Sequence, residues 1–540
     1  MLAVAAGIVC YTIASTAVLS IAPTDWGLAT ELPVVYYVGI ALVAVLWYAG
    51  FKSKSYLPAI LVLTVAYIFV IPAVVRIPVW TSNSYYPFGE SLLINSTGHL
   101  VTDTPPTLAN YHYWPLFLYF ASAFTTLTGV PNYFLLKFFP LFAVSMYGII
   151  AFLVLRIKLS VPHAFLGAAL VLAGLFVRQQ YFGPQSIAYI LFLAILLVVS
   201  LLFFGDEKNR RSLGALLILL FVATTLTHAL TSFMALMVLY AAYIVDRFAK
   251  KKSLAPLGLV SLGATIIWLS YNSFYAQTFF EQGIQHFVQI LEGIRDISLY
   301  SQGSRIISSM AQRVNFAASW GIVGLAVLTA LLAMLNILRK IRSKRSVMKY
   351  SIFSAALLIL IGVFAFVGEY GPQESFTRAF MFGLAPLSFL CVSFLARKPK
   401  LIVLLLAAIM FLNIPAQYGS DAYRLASNTQ LAGTEFIAFY TPDGVSIVGQ
   451  FTLYIKYYDA MKNYTILEKG LATPFTEPPN ATLIYAEISN ADYFIMSDLQ
   501  HNYYIFYLNM DPFEEINIDS NRVYDNGGFN LMMPLKPSVK

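Results

Sequence analysis

The sequence predicts a polytopic α-helical membrane protein of about 13 transmembrane helices, with a small external α/β or β domain at its C-terminal end. Three observations predict it. Of 540 residues, 59% are hydrophobic and only 11% charged, with a mean hydropathy of +0.71. A water-soluble domain carries about 25% charged residues and could not cover this much apolar surface. Apolar runs long enough for a bilayer core of ~30 Å, about 20 residues each, recur as far as residue 415. Lys and Arg cluster at every second junction between those runs. A soluble enzyme is therefore excluded, and so is disorder, since aromatics make up 15% of the chain. The two cysteines, Cys10 and Cys391, lie far apart in apolar runs, which excludes a disulfide framework and a Cys-rich metal site.

In chain order the spans fall near 2–22, 33–50, 56–75, 132–155, 161–177, 184–204, 212–229, 231–246, 254–271, 316–338, 350–368, 377–395 and 399–415. The pair 212–229 and 231–246 reads as a tight helical hairpin. The first span lacks a basic leading segment and a clear small-residue cleavage site, and is read as a retained helix; a cleaved signal peptide is the alternative.

Basic residues set the orientation. The clusters are Lys52/Lys54, Arg156/Lys158, Lys208/Arg210/Arg211, Arg247/Lys250/Lys251/Lys252, Arg339 to Lys349, and Arg397/Lys398/Lys400. Thirteen spans put all of them on one side, where they hold 20 of the 27 Lys and Arg residues before position 416. The N-terminus is then cytoplasmic and the C-terminus external, in a multi-pass cell-membrane protein. One missed helix would move the later clusters to the other side. The net charge of +8 is thus a topology signal and a contact with anionic head groups, and no nucleic-acid footprint.

Three external segments exceed simple turns: 76–131, 272–315 and the tail 416–540. All are rich in Tyr, Phe, Trp or Pro, which argues for order, and connections this long are usually functional. Residues 114–130 are apolar enough to span, but a crossing there would put Arg156/Lys158 outside. They are read as a helix lying in the interface, with Tyr and Trp at head-group level, and 274–294 as a second one. The tail carries 14 acidic against 7 basic residues. Its short alternating runs, Val445–Val448 and Tyr493–Met496, sit between Pro, Gly and Asn turns, as strands do. Asn95, Asn463 and Asn480 head glycosylation sequons, all on the external side.

Ionisable groups in or beside a span are expensive and are functional candidates by default. In the first external loop these are Glu90, His99, Asp103 and His112, among Tyr85, Tyr86, Tyr111 and Trp114. Glu90 or Asp103, on a loop just above the membrane, could act as a general base; the alternative is a solvated loop acid. His112 fits a hydrogen-bonding role. In the external connection Arg178 to Gln185, Arg178 could hold a phosphate through its fork of N–H donors, or merely snorkel to the surface. His228, at the tip of the hairpin, is either a packing residue or a site residue. Glu374 and Arg378 stand at i,i+4 where a span begins: a buried ion pair fixing the helix, or an arginine for a lipid phosphate. No spacing suggests a metal or a nucleotide cofactor. Charged residues in mid-span are almost absent, which argues against an ion-coupled transporter.

One set of motifs carries a resemblance. The stretch from Tyr111-His112-Tyr113-Trp114-Pro115-Leu116 through Leu127-Thr128-Gly129-Val130 to Leu155-Arg156-Ile157 is similar to the segment after the catalytic loop in protein mannosyltransferase-like and archaeal members of the GT-C class of membrane glycosyltransferases. Tyr181 to Ser186, Thr227 to Ser232, Glu374/Arg378 and Arg522 to Phe529 resemble recurring segments of archaeal members. The resemblance covers residues 56–540. It implies a GT-C-like body over 56–415, two additional N-terminal helices over 1–55 and an external domain over 416–540. It further implies a metal-independent enzyme without cofactor, moving a sugar from a polyprenyl-phosphate donor to an acceptor on the external face. Its partners would be membrane lipid and that donor, with protein partners through the tail. Glu90 and Asp103 would be the catalytic candidates. Arg178, Arg378, Glu374, His112, Tyr86, Gln185 and His228 would bind substrate.

The chain departs from the pattern of these proteins in two respects. Members carry Asp-x-Tyr-x-His-x-Gly-Glu early in the first external loop. Here it reads Asn83-Ser84-Tyr85-Tyr86-Pro87-Phe88-Gly89-Glu90, and an amide cannot act as a base. The Trp-Trp-Asp-x-Gly signature of oligosaccharyltransferases is absent as well. Either Glu90 or Asp103 has taken over the role, or the chain is a non-catalytic GT-C-like subunit that anchors or organises a surface assembly.

The orientation is directly testable. A cysteine tag after Lys540 should react with a membrane-impermeant maleimide on intact cells, and one placed beside Lys251 only after permeabilisation. The reverse labelling would overturn the topology.

Overall fold

Lipid offers no hydrogen bonds, so a buried run of polar backbone must satisfy itself as helix. The computed structural model describes residues 1–17, 26–75, 84–100, 112–177, 179–204, 210–248, 255–273, 310–339, 346–367, 374–419, 428–442, 444–449, 465–467, 491–497, 520–526 and 529–534. The chain runs through α1 (Leu2–Ala17), α2 (Leu28–Glu31), α3 (Val34–Ser53), α4 (Leu57–Val65), a π-helical turn (Ala66–Val70), α5 (Ile71–Val75), α6 (Tyr85–Thr97) and α7 (Leu116–Thr128). Then follow α8 (Asn132–Arg156), α9 (Val161–Ala173), α10 (Pro184–Phe204), α11 (Arg210–Thr227), α12 (Ala229–Phe248) and α13 (Ala255–Tyr271). The last helices are α14 (Met310–Arg339), α15 (Ser346–Val367), α16 (Glu374–Leu395), α17 (Pro399–Tyr418) and α18 (Asn428–Tyr440).

A helix occupies each of the thirteen predicted spans. Among the described residues, eight are long and apolar enough to cross a membrane: α3, α8, α10, α11, α12, α14, α16 and α17. Shorter apolar stretches cover the other five. The chain is therefore a multi-pass membrane protein. The interfacial reading of 114–130 falls on α7, which buries Phe117, Leu118 and Ala121 and exposes Tyr119, Phe120 and Phe124. Gly129, at φ +67°, ends that helix by returning its N–H to the Thr125 carbonyl. The second interfacial reading, 274–294, lies outside the described residues.

Helix α9 is the centre of the bundle. It packs against α8, α16, α17 and α4, and is buried without interruption from Leu166 to Ala173. The two N-terminal helices are fastened to the body by phenols. The π-turn takes carbonyls out of the α-helical ladder, and a buried O–H is costly without a partner. Tyr36 Oη donates to the Tyr67 carbonyl at 2.7 Å, and Tyr418 Oη to the Ile68 carbonyl. Tyr67 Oη in turn reaches the Ala5 carbonyl of α1 at 2.9 Å. Gly39 makes room for that ring: a Cβ there would stand 2.1 Å from the Tyr67 hydroxyl.

The tail contains a five-stranded mixed sheet in the order β2-β1-β3-β5-β4, formed by β1 (Ser446–Gly449), β2 (Thr465–Leu467), β3 (Tyr493–Ser497), β4 (Ser520–Asp525) and β5 (Phe529–Pro534). β1 runs parallel to β2 and β3, while β5 runs antiparallel to β3 and β4. The alternating runs read from the sequence are β1 and β3. Phe494, Ile495 and Met496 are successive and all buried, so β3 is covered on both faces, as parallel strands usually are. Helix α18 packs on β5, and Phe436 stacks on Tyr524 at 4.1 Å between ring centres. Among the described residues the tail thus holds a small mixed sheet with one helix packed on it.

Replacing Gly39 by Ala should force Tyr67 out of place and cost about 1–3 kcal/mol. A lowered midpoint of thermal unfolding in detergent checks this, and Gly7→Ala, where nothing lies within 4 Å of the added carbon, is the control.

Candidate functional site

The site is assembled on the turn that follows α9. That helix ends at Gly174, and the chain folds back on itself through Phe176 N–H to Gly174 O at 2.9 Å and Gln179 N–H to Val177 O at 2.6 Å. Ser186 Oγ faces the Gln179 carbonyl at 2.6 Å and the Tyr181 carbonyl, and Tyr147 Oη holds the Ser186 carbonyl at 3.0 Å. Pro184 then starts α10, where its fixed φ suits a first helical turn. The turn buries Gln180, Tyr181 and Phe182.

Phe182 brings the first loop to this turn. Its ring meets Phe88 of α6 edge-on at 6.0 Å, Phe117 of α7 at 5.0 Å and Phe139 of α8 at 5.3 Å. Such edge-to-face pairs each contribute about 0.5–1.5 kcal/mol beyond burial. Two residues beyond Phe88 stands Glu90, 2% exposed. Sequence reasoning placed this acid on a loop; it lies in the second turn of α6 instead, because Phe88, Ser91 and Ile94 give 85–97 a buried face. Glu90 Oε2 lies 3.2 Å from His112 Nε2. Its other oxygen is buried and has no hydrogen-bond partner among the described residues.

His112 opens a short turn that continues to Trp114. Trp114 Nε1 donates to Asn272 Oδ1 at 2.9 Å, and Tyr271 Oη donates to the Tyr113 carbonyl at 2.8 Å. The end of α13 thereby clamps the turn. Across from Trp114, at 6.4 Å between rings, is His228, the residue between α11 and α12. Its Nδ1 faces the Thr231 N–H at 3.3 Å and Oγ1 at 3.1 Å, so the packing role read from the sequence is present. Arg378 Nη1 donates to Gln185 Oε1 at 2.8 Å, and Tyr189 Oη to the Met381 carbonyl at 2.9 Å keeps α10 and α16 in register beneath it.

Of the residues singled out in the sequence, Glu90 meets His112, Arg378 meets Gln185, and His228 faces Trp114. The turn from His112 to Trp114 places the Glu90–His112 pair in the same segment as the ring that faces His228. Arg178, Asp103, Asn463 and Asn480 lie outside the described residues, as do the side chains of Tyr86 and Glu374. Asn95 is exposed on α6, where its Nδ2 donates to Thr125 Oγ1 at 3.1 Å. His99 makes a local contact with the Thr97 carbonyl at 3.0 Å. Sequence reasoning missed Asn272 and Gln180, both buried; a polar residue just past an apolar run was the available signal for Asn272. Among the described residues no group of three or more His, Cys, Asp or Glu side chains could hold a metal ion.

An apolar groove runs along the helix that carries Arg378. Its volume is about 360 Å³, and it lies among α14, α15 and α16. Val327, Leu331, Leu358, Gly362, Phe380 and Leu387 are among its lining residues. Phe376 and Ala379, which bracket Arg378 on α16, also line it.

The chain is similar to ArnT from Cupriavidus metallidurans in two crystal structures. The apo structure is 11% identical, with 84% of this chain and 93% of that one covered and a TM-score of 0.46. The structure bound to undecaprenyl phosphate is 13% identical, with 92% and 97% covered and a TM-score of 0.45. No protein-family model matches the chain, and no curated protein does. A likeness at this level leaves the chemistry to be argued from the residues.

Phe182→Leu keeps the apolar volume but removes the edge-to-face contacts. Hydrogen exchange should then speed up in α6 and in 112–115, while α9 and α10 stay protected. Unchanged exchange in α6 would show that something other than Phe182 holds it.

Proposed function

We propose that this chain is a membrane glycosyltransferase of the GT-C class, moving a sugar from a polyprenyl-phosphate donor to an acceptor hydroxyl on the external face. The observation that carries the reading is Glu90: a buried carboxylate with one oxygen on His112 and the other without a partner among the described residues. A buried acceptor left unsatisfied costs about 1–3 kcal/mol, and a substrate hydroxyl aimed at it would relieve that cost.

The steps follow from the groups present. His112 positions the carboxylate. The acceptor hydroxyl gives its proton to Glu90 as its oxygen bonds to the anomeric carbon of the donor. The bond from that carbon to the phosphate oxygen breaks, and the electron pair leaves with the polyprenyl phosphate. Arg378, oriented by Gln185, meets the growing charge on the phosphate. Arg178 is a second arginine for the same phosphate. The isoprenoid chain lies in the groove among α14, α15 and α16, whose lining along α16 from Phe376 to Leu387 spans roughly 16 Å at 1.5 Å per residue. This reading takes the thirteen-span topology, with the N-terminus cytoplasmic. Asn95, Asn463 and Asn480 then face the side on which glycans are attached, and the tail is free to meet acceptor or protein partners. Asn83, where the family pattern has Asp, favours the second reading, a non-catalytic subunit of a surface assembly.

Transfer from a panel of polyprenyl-phosphate sugars, followed as release of polyprenyl phosphate, tests the assignment. Glu90→Gln should lower the rate by about 10²–10⁴-fold, with donor binding retained. Asp103→Asn should leave it near the parent value. Loss confined to Asp103→Asn would move the base to that residue, and a Glu90→Ala/Asp103→Ala double variant of undiminished activity would sink the assignment. An inactive parent that co-purifies with another protein through its tail would support the subunit reading.

A further inference from the structure

Two amides of the candidate site are oriented by neighbours that can only donate. Asn272 is 3% exposed and accepts the Trp114 indole N–H on its Oδ1. Gln185 is 2% exposed and accepts the Arg378 guanidinium on its Oε1. Neither an indole nitrogen nor a guanidinium can accept a hydrogen bond. The carbonyl end of each amide must therefore face its neighbour, and the NH2 end is forced the other way. Both NH2 groups are buried, and neither has a partner among the described residues. The candidate residues thus carry two unsatisfied donors, Gln185 Nε2 and Asn272 Nδ2, and one unsatisfied acceptor, Glu90 Oε1.

That set is complementary to a ligand rich in hydroxyls, since each hydroxyl both accepts and donates. The two donors stand in different company. Gln185 is tied to the arginine assigned to the phosphate. Asn272 is tied to Trp114, which is half-buried and lies two residues from the partner of Glu90. An indole offers a broad apolar face of the kind against which the C–H face of a pyranose packs.

We propose that Trp114 and Asn272 form the subsite for the transferred sugar ring: the pyranose lies against the indole, and the Asn272 Nδ2–H donates to one of its hydroxyl oxygens. The subsite rests on the donor reading given above and adds to it the residues that discriminate one sugar from another. A site built to hydrogen-bond a hydroxyl rejects the analogue lacking it far more strongly than an apolar pocket rejects a change of size. Asn272 is thereby a specificity-determining residue, and the best donor keeps the hydroxyl that faces it.

The test is equilibrium binding to the full chain in lipid nanodiscs. The probes are octaprenyl phosphate and its mannose, glucose and galactose conjugates. At least one conjugate should bind about tenfold more tightly than the bare lipid, the size expected of one buried hydrogen bond together with ring packing. Asn272→Asp keeps an oxygen for Trp114 but removes the N–H donor. It should abolish that advantage and leave affinity for the bare lipid unchanged, as should Trp114→Ala, with folding of both variants checked by thermal unfolding. Arg378→Gln should weaken all four probes alike. Equal binding of all four by the parent, or an advantage that survives in Asn272→Asp, would overturn the subsite and leave the donor reading standing. Failure of the parent to bind any of the four would overturn both.

Discussion

The candidate site depends on a buried aromatic junction. Phe182 meets Phe88, Phe117 and Phe139 at 5.0–6.0 Å, and so joins the turn after the central helix to α6, α7 and α8. Glu90 follows Phe88 by two residues. Without this junction α6 would be a short helix of 13 residues between two long connections, and helices of that length are marginal by themselves. Its position, and with it the position of the carboxylate, comes from tertiary packing. Lipid cannot supply such a junction, because apolar side chains gain little by leaving hydrocarbon for protein; what they gain is close packing.

A second constraint acts on the polar groups. Inside a membrane protein a buried amide or phenol without a partner is costly, and the phenols at the centre of the bundle are satisfied by backbone carbonyls. Tyr36, Tyr67 and Tyr418 do this around the π-turn, and Asn413 Nδ2 donates to the Ala173 carbonyl at 2.8 Å. Buried atoms of Glu90, Gln180, Gln185 and Asn272 lack a partner among the described residues, as do others such as Asn413 Oδ1 and both ends of the Gln417 amide. Glu90, Asn272 and Gln185 are each paired with another candidate residue, His112, Trp114 and Arg378 in turn, and Gln180 lies in the turn that carries Phe182. Real proteins tend to break such rules at functional sites.

Much of the architecture was legible in the sequence because the solvent dictates it. A run of about 20 apolar residues has one stable form in lipid, so a helix stands at each of the thirteen expected positions. The strands at 446–449 and 493–497 showed in their alternation and in the Pro, Gly and Asn turns around them. The candidate list was legible in part as well, because ionisable residues near spans are scarce; Glu90, His112, His228, Arg378 and Gln185 were all on it. Glu90 was misplaced onto a loop because α6 is short and its sequence, with Pro87 and Gly89, lacks strong helical periodicity. Asn272 went unnoticed because its significance lies in Trp114, 158 residues away in the chain.

What the sequence by itself determined is composition-driven: a membrane protein, the positions of its helices, and a small tail of strands. These follow from local rules, since a side chain's preference for lipid or water needs no knowledge of its neighbours. Only the tertiary structure decided which polar residues meet. It put Glu90 on His112 and Gln185 on Arg378, and it set the Asn272 carbonyl on the Trp114 indole N–H. Those relations depend on how helices far apart in the chain pack side by side, and hydrophobic patterning carries no information about which helix faces which.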